Sequence, residues 1–122
     1  MITGVHQIAI TVKDLDSGIA FYRDVLGLQL LFQAPPGLAF FQCGQTRLML
    51  SAVPEVDPSR RMVLYYATPD INAAVDDLRR RGAAITQEPQ MIARVENRDV
   101  WLAVTEDPDG HVVGLMSEVP VS

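Results

Sequence analysis

The chain has 122 residues, of which 48% are hydrophobic and 20% are charged, and its formal net charge is −5. This composition is typical of a single globular domain and excludes disordered and fibrous chains. The acidic balance argues against a nucleic-acid partner, because affinity for phosphates depends on clustered Lys and Arg. Cys43 is the only cysteine, so no intrachain disulfide can form. Because no stretch has membrane-spanning length and no signal-like start is seen, we expect a cytoplasmic protein without membrane contact.

The first half of the chain predicts a strand, a helix and three further strands. Apolar residues alternate over 5–12, which indicates a half-buried strand. Asp14 or Asp16 can cap the helix, and Gly27 ends it. The helix has the apolar stripe Leu15, Ile19, Tyr22 and Leu26. Strands over 28–32, 38–42 and 47–51 follow, with turns at 35–37 and 44–45.

The second half predicts the same order after a proline-containing linker over 53–61. Its helix is expected over 70–81, with Gly82 ending it. Pro89 suits an edge strand or a bulge, because proline cannot donate to a strand ladder. The polar turn Asp-Pro-Asp-Gly at 107–110 precedes the last strand. The predicted strands cover 63–68, 85–95, 99–105 and 112–116.

The two halves repeat one pattern. Four positions of the first helix recur 56 residues later, as Asp14, Leu15, Ile19 and Tyr22 become Asp70, Ile71, Val75 and Leu78. Each copy is too small to bury its own apolar face, so we expect the copies to pack together around a shared cleft. The sequence therefore predicts one domain over 1–122, with module 1 at about 1–52 and module 2 at about 62–122.

Two segments carry a resemblance to a known family. They read IAITVKDLDSGIAFYRDVLGL over 8–28 and DPDGHVVGL over 107–115. The chain resembles, over essentially its whole length, the vicinal oxygen chelate superfamily of glyoxalase I, bleomycin-resistance proteins and extradiol dioxygenases. The resemblance implies an α+β fold in which two βαβββ modules form an eight-stranded open cup, with a helix packed behind each half, commonly in a homodimer. Enzymes of the family hold a divalent metal in that cup with four side chains, one on each of four strands.

The metal-ligand positions that the resemblance implies hold Gln7, Met49, Val63 and Gly114. These supply at most one neutral oxygen donor, whereas a divalent cation needs several anionic or imidazole donors. We therefore expect no metal and no other cofactor, and the sequence does not identify catalytic residues. The alternative is a shifted metal site that uses His6, His111 or Glu118, in a metal-dependent lyase, isomerase or dioxygenase. His6 itself is otherwise expected at the edge of the core.

Strand alternation predicts which residues line the cup. These residues are Gln7, Arg47, Met49, Ser51, Val63, Tyr65, Trp101, Gly114 and Met116. This mostly apolar surface suits a small organic ligand, and Trp101 and Tyr65 offer stacking faces unless they fill the core. An inward Arg47 needs a carboxylate, either internal or on the ligand, whereas a slip in register would turn it outward. The leading hypothesis is a glyoxalase/bleomycin-resistance-like protein that binds without metal. A cup filled by its own side chains is a third possibility.

Overall fold

The computed structural model describes residues 1–121. The chain divides into two compact units, the first covering Met1–Arg61 and the second beginning at Met62. The first unit contains β1 (Gln7–Val12), α1 (Leu15–Ile19), β2 (Gln29–Ala34), β3 (Leu38–Cys43) and β4 (Thr46–Ala52). The second contains β5 (Val63–Ala67), α2 (Ile71–Arg80), β6 (Ile85–Val95), β7 (Arg98–Glu106) and β8 (Val112–Pro120). The predicted α+β class and the repeated βαβββ order are confirmed.

The first unit forms a four-stranded mixed sheet in the order β1-β4-β3-β2. The β1 strand pairs with β4 in parallel, and the other neighbours are antiparallel. The two-residue turn at 44–45 places Cys43 opposite Thr46 and so fixes the register of β3 against β4. The register of β2 shifts between Leu30 and Phe32, which indicates a bulge in that edge strand.

The helix of the first unit changes its winding after one turn. Residues Ala20–Val25 are π-helical, and the Leu26 N–H donates to the Phe21 carbonyl at 2.9 Å. In this π-helical part both Phe21 and Tyr22 are buried. The α-helical periodicity predicted instead that Tyr22 and Leu26 would be the buried pair. Leu26 is only half-buried. Gly27 ends the segment with φ of 80°, as its predicted C′ role requires.

This helix lies closely against one face of its sheet. A Cβ atom at Gly18 would lie 3.1 Å from Leu50 Cδ1 and 3.3 Å from Val12 Cγ1. The Tyr22 and Phe41 ring centroids are 6.1 Å apart. The buried residues of the sheet are Ile10, Val12, Ala39, Phe41, Leu48 and Leu50. We call the opposite side of the sheet the first open face.

The second unit repeats this arrangement with the sheet order β5-β8-β7-β6. Asp70 caps α2 by accepting a hydrogen bond from the Ala73 N–H at 3.1 Å. The β6 strand lies at the edge of the sheet, and its register shifts between Gln87 and Gln90. This interval contains Pro89, from which an edge strand or a bulge was predicted. One side of the sheet carries the buried side chains Ala103, Thr105, Val113, Leu115 and Ser117, and Val100 is buried on the other side. That other side is the second open face.

The helices of the protein are short. The first helix, with its π-helical part, covers 15–25, and α2 has 10 residues. Within residues 1–121, no helix has the length and apolar character needed to cross a bilayer.

Candidate functional site

Strand register defines the first open face. Gln7 lies opposite Arg47, and the next row along the strands joins Ala9 to Met49. The Gln7 Nε2 group donates to Met49 Sδ at 3.6 Å, so these two side chains are in contact. Ser51 belongs to the same face two residues beyond Met49. The structure therefore brings Gln7, Arg47, Met49 and Ser51 onto one face of a single sheet.

Two phenylalanines complete this face beside Met49. Phe40 lies opposite Met49, and Phe32 lies opposite Phe40 on the next strand. The two phenyl rings stack with centroids 4.5 Å apart and planes 23° apart. Sequence reasoning missed this pair, although the two-residue turn at 44–45 fixes the register that opposes Phe40 to Met49. The first open face is therefore aromatic as well as polar.

Arg47 lies across this aromatic pair. Its Cζ atom is 5.5 Å from the centroid of the Phe40 ring, within the range of a cation–π interaction. Its Nη2 atom is 3.3 Å from Nε2 of His6. Arg47 is half-buried and shares the face of Gln7, so the slip in register that would have turned it outward does not occur.

His6 differs from its expected place at the edge of the core. It precedes β1, it is exposed, and its ring contacts the Arg47 guanidinium. The reason is that β1 begins only at Gln7, so strand alternation does not constrain the His6 side chain. A cation bound at His6 would be repelled by the neighbouring guanidinium charge. His6 is therefore a poor metal ligand in this structure.

The second open face is almost entirely apolar. Val63 lies opposite Val112, Tyr65 opposite Gly114, and Ala67 opposite Met116, so Val63, Tyr65, Gly114 and Met116 share one face. The Tyr65 ring lies on Gly114: a Cβ atom at 114 would come within 2.7 Å of Tyr65 Cε1 and closer still to Cδ1. Tyr65 nevertheless remains 54% exposed. The missing side chain at 114 therefore leaves room for an exposed aromatic ring to pack directly against the strand.

The predicted place of Trp101 on the open face is wrong. Trp101 lies opposite Ser117, and Ala103 lies opposite Leu115, so both belong to the buried face. The residues of β7 that share the face of Gly114 and Met116 are Val104 and Leu102. The error has a physical cause: residues 100–104 are all apolar, and such a run has no alternation from which its facing can be read.

The donor groups do not fit the divalent metal of the family. Met49 offers a soft thioether sulfur, and the Val63 and Gly114 side chains offer no donor atom. Gln7 directs its amide nitrogen toward Met49. Within residues 1–121, no group of three or more His, Cys, Asp or Glu side chains could hold a metal ion. These positions therefore do not fit the divalent metal that the family's enzymes hold.

The shifted metal site also lacks the required geometry. His111 is 1% exposed, and its Nδ1 accepts a hydrogen bond from the Met62 N–H at 2.8 Å. The backbone N–H of His111 donates to Asp107 Oδ1 at 2.8 Å. Glu118 lies seven residues further along the chain; at about 3.3 Å per residue the separation is roughly 23 Å. His111 and Glu118 therefore cannot ligate one ion, and His111 instead joins the start of β5 to the turn before β8.

Cys43 does not supply a nucleophile. It is half-buried at the end of β3. This burial raises the pKa of the Cys43 thiol above its ordinary value, so the thiol stays protonated near neutral pH. The groups that the first open face offers for interactions are Arg47, Gln7 and the aromatic and thioether side chains.

Solved structures resemble this protein along nearly its whole length. TnmS3, an antibiotic-binding protein from Streptomyces sp. CB03234, is 27% identical, with a TM-score of 0.77 over 98% of this chain and 97% of that chain. A glyoxalase/bleomycin resistance protein/dioxygenase superfamily member from Sphaerobacter thermophilus DSM 20745 is 25% identical, with a TM-score of 0.74 over 96% and 98%. The lactoylglutathione lyase of Agrobacterium tumefaciens is 21% identical, with a TM-score of 0.76 over 96% and 95%, a likeness of fold.

Sequence comparison agrees with the fold. No curated protein matches the chain. Residues 4–115, however, match the Glyoxalase/Bleomycin resistance protein/Dioxygenase superfamily, and this match spans both βαβββ units. The repeated topology, the matched residues and the similar structures agree. The chain therefore belongs to the Glyoxalase/Bleomycin resistance protein/Dioxygenase superfamily.

Proposed function

We propose that this protein binds a small organic molecule on its open faces without a divalent metal. The observation that carries the proposal is the Tyr65 ring lying on Gly114. In the family's enzymes a metal-ligating side chain occupies this position. In this chain the position is Gly114, and the Tyr65 ring fills the space that such a side chain would need. Aromatic and thioether side chains bind flat organic molecules through dispersion and stacking rather than through coordination.

The chemistry of both faces supports such a ligand. Small-molecule sites are lined mainly by apolar and aromatic side chains with a few placed polar groups. Here Phe40, Met49, Tyr65 and Met116 supply the apolar part, and Arg47 supplies the charge. The similarity to TnmS3 favours an antibiotic as one class of ligand to test. We expect sequestration, in which the bound molecule is released unchanged.

The proposal also covers the oligomeric state and the location of the protein. We expect a homodimer, because such pairing is common in the family that the sequence resembles. We also expect a cytoplasmic location, as predicted from the sequence. The net charge of −5 favours the absence of a nucleic-acid partner. Light scattering coupled to size-exclusion chromatography measures the assembly directly, and a monomer at micromolar concentration contradicts this part of the proposal.

Metal binding is the first test. Elemental analysis of the purified protein, followed by calorimetric titration with Ni²⁺, Zn²⁺, Mn²⁺ and Fe²⁺, is expected to show no stoichiometric binding. Stoichiometric binding at micromolar affinity or tighter that is abolished by His6→Ala overturns the metal-free proposal. That result would favour the alternative, a lyase, isomerase or dioxygenase, and glyoxalase and dioxygenase assays would follow.

Ligand binding is the second test. A thermal-shift screen of small aromatic molecules that includes antibiotics is expected to give hits, which calorimetry then confirms. Met49→Ala should weaken binding of a confirmed hit, because Met49 lies on the first open face. Met91→Ala is the matched control, since Met91 is exposed opposite Trp101 and away from the open faces. Equal loss in both variants would contradict the assignment to the open face, and mass spectrometry shows whether the molecule is unchanged.

A further inference from the structure

The Arg47 guanidinium is a half-buried charge that pairs with no carboxylate within residues 1–121. In this part of the chain its side-chain polar and ring interactions are with His6 Nε2 and the Phe40 ring. Its Nε atom is shielded from solvent and has no hydrogen-bond partner there. A shielded charge with an unsatisfied donor is unfavourable, because it has left water without gaining equivalent interactions.

Other arginines of the chain show the opposite behaviour. Several exposed arginines form ion pairs with carboxylates, although their exposure makes pairing least necessary. These pairs are Arg23 with Asp24, Arg79 with Glu88, Arg80 and Arg81 with Asp77, and Arg94 with Asp99. Among the described residues, 1–121, the guanidinium of Arg47 thus has no compensating carboxylate at a partly shielded site on the first open face.

The neighbours of Arg47 hold its charge over this face. Because a guanidinium can only donate, His6 Nε2 accepts the contact from Nη2. The Phe40 ring lies beneath the guanidinium, and Phe32 stacks on Phe40 with 47% of its surface exposed. The remaining terminal hydrogens of Arg47 donate to no group within residues 1–121. The positive charge is therefore oriented beside an exposed aromatic surface.

We propose that Arg47 binds the carboxylate of an aromatic ligand on the first open face. The proposal rests on the proposed function and specifies its ligand class. A planar carboxylate matches the planar donor fork of a guanidinium, and the aromatic part of the ligand contacts Phe40, Phe32 and Met49. The overall acidic charge would instead favour a cationic ligand. That long-range effect is screened over about 8–10 Å in physiological salt, so the adjacent guanidinium dominates.

Three naphthalene compounds that carry substituents of similar size but different charge test the charge preference: 2-naphthoate, 2-naphthamide and 2-naphthylmethylammonium. Calorimetry with the wild-type protein near neutral pH is expected to show the carboxylate binding about tenfold more tightly than the amide, since charge-assisted hydrogen bonds exceed neutral ones. The ammonium compound should bind most weakly. Arg47→Gln should remove the preference for the carboxylate over the amide. Arg61→Gln, which removes an equal charge from an exposed position of the same unit, should retain it.

The outcomes separate this proposal from the proposed function. Equal binding of carboxylate and amide, tighter binding of the ammonium compound, or an unchanged preference in Arg47→Gln overturns the role of Arg47 and leaves organic-molecule binding intact. Failure of all three compounds to bind the wild-type protein overturns both. The wild-type comparison needs no variant, so a folding defect in Arg47→Gln leaves the test in place.

Discussion

The two units have the same strand order, but their open faces have different chemistry. The first open face carries a charge over stacked aromatic rings, through Arg47 and Phe40. The second carries Val63, Met116 and a tyrosine ring lying on Gly114. Their buried faces are alike, since each packs aliphatic side chains beneath a helix. The comparison teaches that the buried face maintains the repeated fold, whereas the open face can change without disturbing it.

The largest expected effect separates the two faces of the first sheet. Phe41 is fully buried beneath the helix, and Phe40 is its neighbour on the open face. Phe41→Ala should lower the free energy of unfolding by about 3–5 kcal/mol, because it leaves a cavity in the core. Phe40→Ala should cost clearly less. Chemical denaturation of both variants measures the difference, and equal losses would refute the assignment of the two faces.

Replacing the two histidines should also have unequal effects on stability, because His111 is buried and His6 is exposed. His111→Ala should lower the free energy of unfolding by about 2 kcal/mol, because a buried side chain is lost and the part-buried Met62 N–H loses its acceptor. His6→Ala should change it by less than about 0.5 kcal/mol, as is usual for an exposed side chain. Urea denaturation curves measure both. A large effect at His6 would show that the Arg47 contact maintains the fold of the first unit.

A smaller effect is expected on the second open face. Gly114→Ala should destabilise the protein by about 1 kcal/mol, because the new methyl group overlaps the Tyr65 ring. In the double variant with Tyr65→Ala the added penalty should disappear, since no ring remains to be displaced. Thermal denaturation of the two single variants and the double variant measures the coupling. Strictly additive losses would contradict the contact between Tyr65 and residue 114.

The smallest expected differences in unfolding free energy are those between the two helix caps. Asp70→Ala should cost about 1 kcal/mol, because Asp70 accepts a backbone N–H hydrogen bond. Asp14→Ala should cost less, because the Asp14 side chain lacks the cap hydrogen bond seen at Asp70 and accepts mainly from the Ser17 hydroxyl, at 2.6 Å. Denaturation curves of the two variants rank the losses, and the reverse order would contradict this comparison of the caps.

The Ser17 contact also predicts a dependence on pH. It lowers the pKa of the Asp14 carboxyl below its ordinary 3.8. The resulting stability is present above 3.8 and is lost as the pH falls through the lower folded-state value. Ser17→Ala should therefore weaken the acid-induced loss of stability. Carboxyl NMR titration of both forms checks the direction, and an unchanged Asp14 titration in Ser17→Ala would contradict it.

The sequence predicted the elements better than the facing of their residues. Where polar and apolar residues alternate, as in β1, the buried positions Ile10 and Val12 follow directly. Trp101 lies in an apolar run, so only its pairing with Ser117 decides its face. Nor can apolar spacing reveal π-helical winding, which is why burial of Phe21 was missed.

The candidate site was predictable to a similar degree. Gln7, Arg47 and Met49 were placed together because alternation and short turns determine their face. The position of His6 depends on where β1 begins, which alternation leaves uncertain by one or two residues. The lack of a carboxylate beside Arg47 depends on contacts in three dimensions, so sequence reasoning left both partners open.

The parallel pairing of β1 with β4 has a consequence for the order of events during synthesis on the ribosome. Gln7 pairs with Arg47, so β1 can pair with β4 only after forty more residues have been synthesised. The same holds for β5, which pairs with β8 near the end of the chain. Both partners of each pair lie within one unit, so the first sheet can form its hydrogen bonds before the second unit has been synthesised. Because the strand pairing of each sheet lies within one unit, its contacts are shorter in sequence than contacts across the full chain would be, and shorter contacts close faster.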